Sequence, residues 1–145
     1  MAVGKLKIGD KKLKVKEATI SESFCKDGHP FWTIEVETEE KKFREYPDYP
    51  WKFRFYSEDM PVDAPGLDEI VGCEVKIEEE YDEYGEENIT MYFFEHQETW
   101  GHKIKFVGKK GDKLRAKWTG RCEMAWDEKY GDDVPFELQV DFTVR

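Results

Sequence analysis

Apolar residues recur at every second position through segment after segment of this chain, the period of strands with one buried face, rather than at the three-to-four spacing of an amphipathic helix. Leu6 and Ile8 lead to Gly9-Asp10, after which Leu13 and Val15 resume the alternation with lysines on the other parity. This predicts a hairpin with a two-residue loop, and glycine in the first loop position is the type II′ preference. Trp32, Ile34 and Val36 alternate with Thr33, Glu35 and Glu37; Trp51, Phe53 and Phe55 with Lys52, Arg54 and Tyr56. Cys73, Val75 and Ile77 alternate with Glu74, Lys76 and Glu78; Ile89, Met91 and Phe93 with Thr90, Tyr92 and Phe94. The stretch from Tyr81 to Asn88 is predicted to join those last two strands as a hairpin.

Ile104 and Phe106 precede a turn at Gly108 to Asp112, and Leu114 to Trp126 then hold one parity for thirteen residues. At ~3.3 Å per residue such a strand would run about 40 Å, so a bend is predicted at Gly120. The last strand carries Phe136, Leu138, Val140, Phe142 and Val144. Between strands, Tyr46-Pro47-Asp48-Tyr49-Pro50 has two prolines that cannot donate to a ladder, which predicts a loop or an edge bulge and not a central strand. Leu67 to Val71 is the one segment that reads as a helical turn.

About nine strands with at most one short helical turn define an all-β chain, and an antiparallel β-sandwich is the expected architecture, with a strongly bent β-barrel as the alternative. Trp32, Trp51, Trp118, Trp126, Phe53, Phe93 and Phe136 are the expected core. The 145 residues form one domain, 1–145. Within it, Lys12-Leu13-Lys14-Val15-Lys16 is similar to Lys113-Leu114-Arg115-Ala116-Lys117, and Pro30-Phe31 opens an alternating strand as Pro135-Phe136 does. Two related hairpin units, about 5–38 and 103–144, account for both similarities; the competing account is that any two amphipathic strands rich in Lys and Glu look alike.

Charge changes the picture because it is segregated. Between Glu74 and Glu87 stand eight carboxylates and one lysine, a formal −7 against −10 for the whole chain. Lys103 to Lys117 holds seven basic residues against Asp112, and Lys5 to Lys16 holds six against Asp10. If these strands are neighbours, cross-strand pairs worth ~0.2 to 1 kcal/mol each neutralise the acidic strand, and the turn is left as the unpaired tip. A pI near 4.9 argues against general nucleic-acid binding, which depends on neutralising phosphates. Three cysteines without CxxC spacing fit a reducing compartment, and no apolar run approaches a membrane span, so a cytoplasmic protein is expected.

Candidate chemistry is sparse. None of the three serines stands in a Gly-x-Ser-x-Gly elbow. Cys25 with His29 could pair as thiolate and imidazole, and His96 and His102 bracket a loop, so these four are the candidate zinc ligands, although no recognised ligand spacing connects them. Acidic loops at 58–63, 82–87 and 127–133 are candidate calcium sites, but none follows the Asp-x-Asp order of an EF-hand. No cofactor is expected. What remains is surface recognition by a non-enzymatic module that meets a basic protein partner through Tyr81, Asp82, Glu83, Tyr84, Glu86 and Glu87, with Tyr46 and Tyr49 on the proline-stiffened loop as a second contact. An inhibitor or immunity-type protein is the specific form of this expectation. A metal-dependent domain or enzyme, and a homodimer built through strand edges, are the alternatives.

Overall fold

The computed structural model describes residues 2–26, 29–61, 64, 66, 69–82, 85, 86, 88–124 and 133–145, and of residues 23–26, 29–31, 59 and 61 the main chain only. Twelve strands follow one another: β1 (Gly4–Ile8), β2 (Lys11–Lys26), β3 (His29–Thr38), β4 (Lys41–Phe43), β5 (Tyr46–Trp51), β6 (Arg54–Pro61), β7 (Glu74–Ile77), β8 (Thr90–Phe93), β9 (Glu95–Gln97), β10 (Thr99–Lys110), β11 (Lys113–Cys122) and β12 (Val134–Val144). Ten form a single sheet in the order β7-β10-β11-β12-β1-β2-β3-β6-β8-β9, while β4 and β5 pair as a separate ribbon. No helix of the described residues is long and apolar enough to cross a membrane.

The sheet curls into a half-barrel, and the packing shows by how much. Strand β6 stands four steps from β12, ~19 Å along a flat sheet at ~4.8 Å per step. Yet the Phe55 ring of β6 lies 5.1 Å from Phe136 of β12 and 5.3 Å from Trp118 of β11. Buried and exposed residues alternate strictly along β11, and Trp32, Trp51, Trp118, Phe53, Phe55, Phe93, Phe106 and Phe136 are all buried inside the curl. The all-β class and its largely antiparallel pairing are found as predicted, and the curled sheet is consistent with the expected sandwich or strongly bent barrel.

The predicted first hairpin is present, with Ile8 opposite Lys11 and φ +57° at Gly9. Gly111-Asp112 closes the β10–β11 hairpin in the same way, with φ +60° at Gly111. Both are positive at glycine and not at the following aspartate, the type II′ pattern. The segments 5–38 and 103–144 each form a three-stranded antiparallel meander, and the two meanders adjoin through the β12–β1 pairing. Where the short β1 ends, β12 reaches across to β2 in parallel register, Thr143 opposite Thr19 and Val144 opposite Ile20.

Several local expectations are corrected. Strands β7 and β8 are not partners: β7 pairs with β10 while β8 pairs with β6 and β9, so the acidic segment crosses between opposite sides of the sheet. The prolines do keep Tyr46–Trp51 out of the large sheet, but it forms strand β5, paired with β4. At Gly120, the site of the predicted bend, the β11–β12 pairing runs through without a register shift, while the β10–β11 pairing does shift there, between the Trp100–Arg121 and Lys103–Thr119 pairs. This glycine serves as room: a Cβ there would lie 2.6 Å from Phe136 Cζ and 3.1 Å from His102 Nδ1. Of the expected helical turn, the described part is one hydrogen bond from Glu69 N–H to Gly66 O, 3.2 Å. Trp126 lies outside the described residues.

Candidate functional site

The acidic segment is built from the main chain outward. Gly101 N–H donates to Glu78 O at 3.1 Å, which ties the start of the segment to β10. Beyond that the chain narrows into a loop, with Asn88 N–H on Glu80 O at 3.1 Å and Asp82 N–H on Glu86 O at 2.8 Å. The Asp82 carboxylate accepts from Glu86 N–H at 3.0 Å, and Ser57 Oγ of β6 donates to Asn88 O at 2.9 Å. Asp82 and Glu86 are exposed, and with Tyr56, Glu58, Asn88 and Thr90 they line a groove of about 140 Å³. Three carboxylates therefore share one rim. Glu83, Tyr84 and Glu87 lie outside the described residues.

Tyr81 turns to the other side of the loop. Its hydroxyl donates to Glu98 Oε1 at 3.2 Å, at the junction where β9 runs on into β10. Hydrogen bonding to the Glu80 and Glu98 carboxylates pushes this phenol up to about 12. Burial raises the Glu80 carboxyl, and the negative charges of Glu98 and Glu123 add to the effect. The expected cross-strand pairing is found for Glu74, whose carboxylate lies 3.7 Å from Lys103 Nζ of β10 and 3.5 Å from Lys76 Nζ on its own strand.

A second group of side chains continues from that rim along the outer face of β6, β8 and β9. Register places Tyr56 opposite Thr90, Arg54 opposite Tyr92, and Tyr92 opposite His96. Tyr92 is 46% exposed and meets the His96 ring edge-on at 5.5 Å. Phe94 is 38% exposed and Tyr49, from the β5 ribbon, 61%; their rings stand 6.4 Å apart at 84°. Phe94 is also the one non-glycine at positive φ among the described residues, at +64°. The chain reverses on it, since Phe93 pairs directly with Glu95, and Gln97 Nε2 donates to Phe93 O at 3.2 Å. A bulky residue in this region costs ~1–2 kcal/mol, and such strain gathers at functional positions. Lys52 Nζ, 2.6 Å from Glu37 Oε1, holds that carboxyl below its usual range beside a groove lined also by Pro50, Arg54, Tyr92 and Phe94.

Of the two loop tyrosines, only Tyr49 faces outward. Tyr46 is half-buried with its ring 5.2 Å from the buried Trp51. Tyr92 and Phe94 went unread as contact residues, although the signal was present: both are aromatics on the outward parity of a strand.

Among the described residues the histidines do not make a metal centre. His102 is buried, and both ring nitrogens are taken: Trp118 Nε1–H donates to Nδ1 at 3.0 Å, and Nε2 lies 2.8 Å from Thr99 Oγ1. An indole N–H can only donate, so Nδ1 accepts, Nε2 carries the proton, and the Thr99 hydroxyl passes its own to Ile89 O at 2.7 Å. His96 sits exposed on β9, away from this chain of bonds. Main-chain pairing sets Cys25 opposite Pro30 and Lys26 opposite His29, while the side chains of Cys25 and His29 lie outside the described residues. Among the described residues no three His, Cys, Asp or Glu side chains are arranged to hold a metal ion. Burial pushes the Cys122 thiol up to about 12, which keeps it from acting as a nucleophile.

The fold and these surfaces define a curled, single-sheet all-β domain with an acidic and aromatic outer face. Comparison of the chain with family models, curated proteins and solved structures found no match.

Proposed function

We propose that this protein is a non-enzymatic binding module that meets a basic protein partner through the face formed by the acidic loop and strands β6, β8 and β9. The observation that carries this reading is the exposed trio Tyr49, Tyr92 and Phe94, of which Phe94 is held at a backbone cost, with Tyr92 on the strand β8 whose Thr90 lines the groove rimmed by Glu58, Asp82 and Glu86. Aromatic side chains supply large contact area at low entropic cost and dominate interface energetics, and clustered carboxylates steer a basic partner onto them. A small acidic inhibitor of a basic enzyme, of the immunity type, is the specific form that this chemistry fits.

Affinity capture from the native cell tests the reading. The wild-type chain is expected to retain a basic protein that the variant Tyr49→Ala/Tyr92→Ala loses, a truncation of two anchors worth ~2 kcal/mol or more each, about 30-fold in affinity per residue. Asp82→Asn/Glu86→Gln is expected to slow association and flatten its salt dependence while leaving the dissociation rate nearly unchanged. Undiminished capture by both variants would remove the face from consideration.

A further inference from the structure

On the opposite side of the sheet order, the outer face carries a row of lysines, with Glu74 of β7 opposite Lys105 at its β10 end. Register aligns Lys105 of β10 with Lys117 of β11, Lys117 with Gln139 of β12, Gln139 with Lys5 of β1, and Lys5 with Lys14 of β2. This is one row crossing five strands, ~19 Å from end to end at ~4.8 Å per step. The adjoining row sets Lys7 between Lys12 of β2 and the exposed Glu137 of β12. All six lysines are exposed, and none makes an ion pair among the described residues. Directly opposed like charges destabilise a sheet, and three such pairs, 5 with 14, 7 with 12 and 105 with 117, carry that cost, offset in part where Lys7 and Lys105 also face Glu137 and Glu74.

We propose that this lysine row is a docking surface for the phosphate backbone of double-stranded nucleic acid. Charge complementarity selects a dense polyanion, and a duplex presents about one negative charge per ~1.7 Å of axis. The row itself carries no aromatic side chain, so it offers no platform for the stacked bases on which single-strand binding depends. Lysine is depleted at protein–protein interface cores, where tyrosine, tryptophan and arginine predominate, but serves as a point-charge ligand of phosphate. The net charge of −10 is an average over faces of opposite sign, and at physiological ionic strength a charge acts over only ~8 Å. Gln139 at the centre of the row adds a neutral donor to a phosphate or sugar oxygen, and register without base-edge readers makes the contact independent of sequence.

Fluorescence anisotropy with a labelled 20-base-pair duplex of random sequence tests the surface. With four phosphates neutralised, affinity is expected to fall about 100-fold between 50 and 200 mM salt. Lys5→Gln/Lys117→Gln is expected to reduce that fall to about 10-fold and to weaken binding at 50 mM, with a melting temperature equal to or above wild type because opposed charges are relieved. Lys42→Gln, off the row on β4, is expected to change neither. Absence of binding at 50 mM salt, an unchanged salt dependence in the double variant, tighter binding of a single strand, or polyglutamate binding equal to the duplex would each overturn the proposal.

Discussion

Acidification from pH 7 to pH 4 is expected to cost this protein about 3 kcal/mol through His102 alone. The side chain is buried, and burial lowers its ring from the ordinary 6.5 to about 4. In the unfolded chain the imidazole takes up its proton near 6.5, so between that pH and about 4 the unfolded state holds the extra proton and stability rises with pH. The contribution is therefore complete above pH 6.5, declines as pH falls, and is gone below about 4; two and a half units at ~1.36 kcal/mol each set its size. Geometry supports the direction independently. A proton added to Nδ1 would face the Trp118 N–H, donor against donor, inside the core. Urea unfolding of wild type and His102→Gln at pH 7 and pH 4.5 measures the effect. Glutamine can accept from Trp118 and donate to Thr99 without titrating, so the variant is expected to lose much less stability on acidification. The raised Glu80 carboxyl works in the opposite sense, gaining its proton more readily in the fold, and it is common to both proteins, so the difference between them isolates the histidine. Equal losses in the two proteins would discard the account.

Gly120→Ala is the second large effect. The new methyl would lie 2.6 and 2.8 Å from the Phe136 ring, distances that require something to move. Phe136 is 1% exposed and its ring is held by Phe55 at 5.1 Å, His102 at 5.8 Å and Trp118 at 6.1 Å, so it has nowhere to go. Overpacking of this kind costs ~1–3 kcal/mol, and the upper end is expected here, a fall of roughly 5 to 10 °C in melting temperature. Combining it with Phe136→Leu separates the clash from other causes. Leucine removes the ring atoms that the methyl meets, so the double variant is expected to be more stable than the sum of the single losses. Simple additivity would show that Gly120 is needed for another reason.

Legibility differs by scale. Alternation along the chain is a property of each segment alone, because a half-buried strand must present every second residue to the core whatever its neighbours. For that reason the strands bearing Trp32, Phe55, Val75, Trp118 and Leu138, the Gly9-Asp10 loop and the exclusion of the Pro47–Pro50 stretch from the large sheet are all legible in the sequence. Pairing is a relation between distant segments and leaves no mark on either one. Nothing local to Cys73–Ile77 says that its partner is β10, or that the acidic stretch beyond it joins two sides of a curled sheet.

The surface follows the same division. Carboxylates at 82 and 86 and an exposed Tyr49 were legible from composition and from proline placement. The reversal at Phe94 was not, because a bulky aromatic at positive φ contradicts every local preference and persists only where the surrounding packing holds it. His102 and Gly120 read locally as a candidate zinc ligand and a bend; their roles appear only when β10, β11 and β12 lie side by side and one ring nitrogen, one indole and one phenyl ring compete for the same space. The sequence by itself determined the all-β class, the buried parity of each strand and the segregation of charge, since these depend on short-range period. The tertiary structure decided which charges face one another and which polar groups share the core, because register across strands brings together residues that the chain keeps far apart.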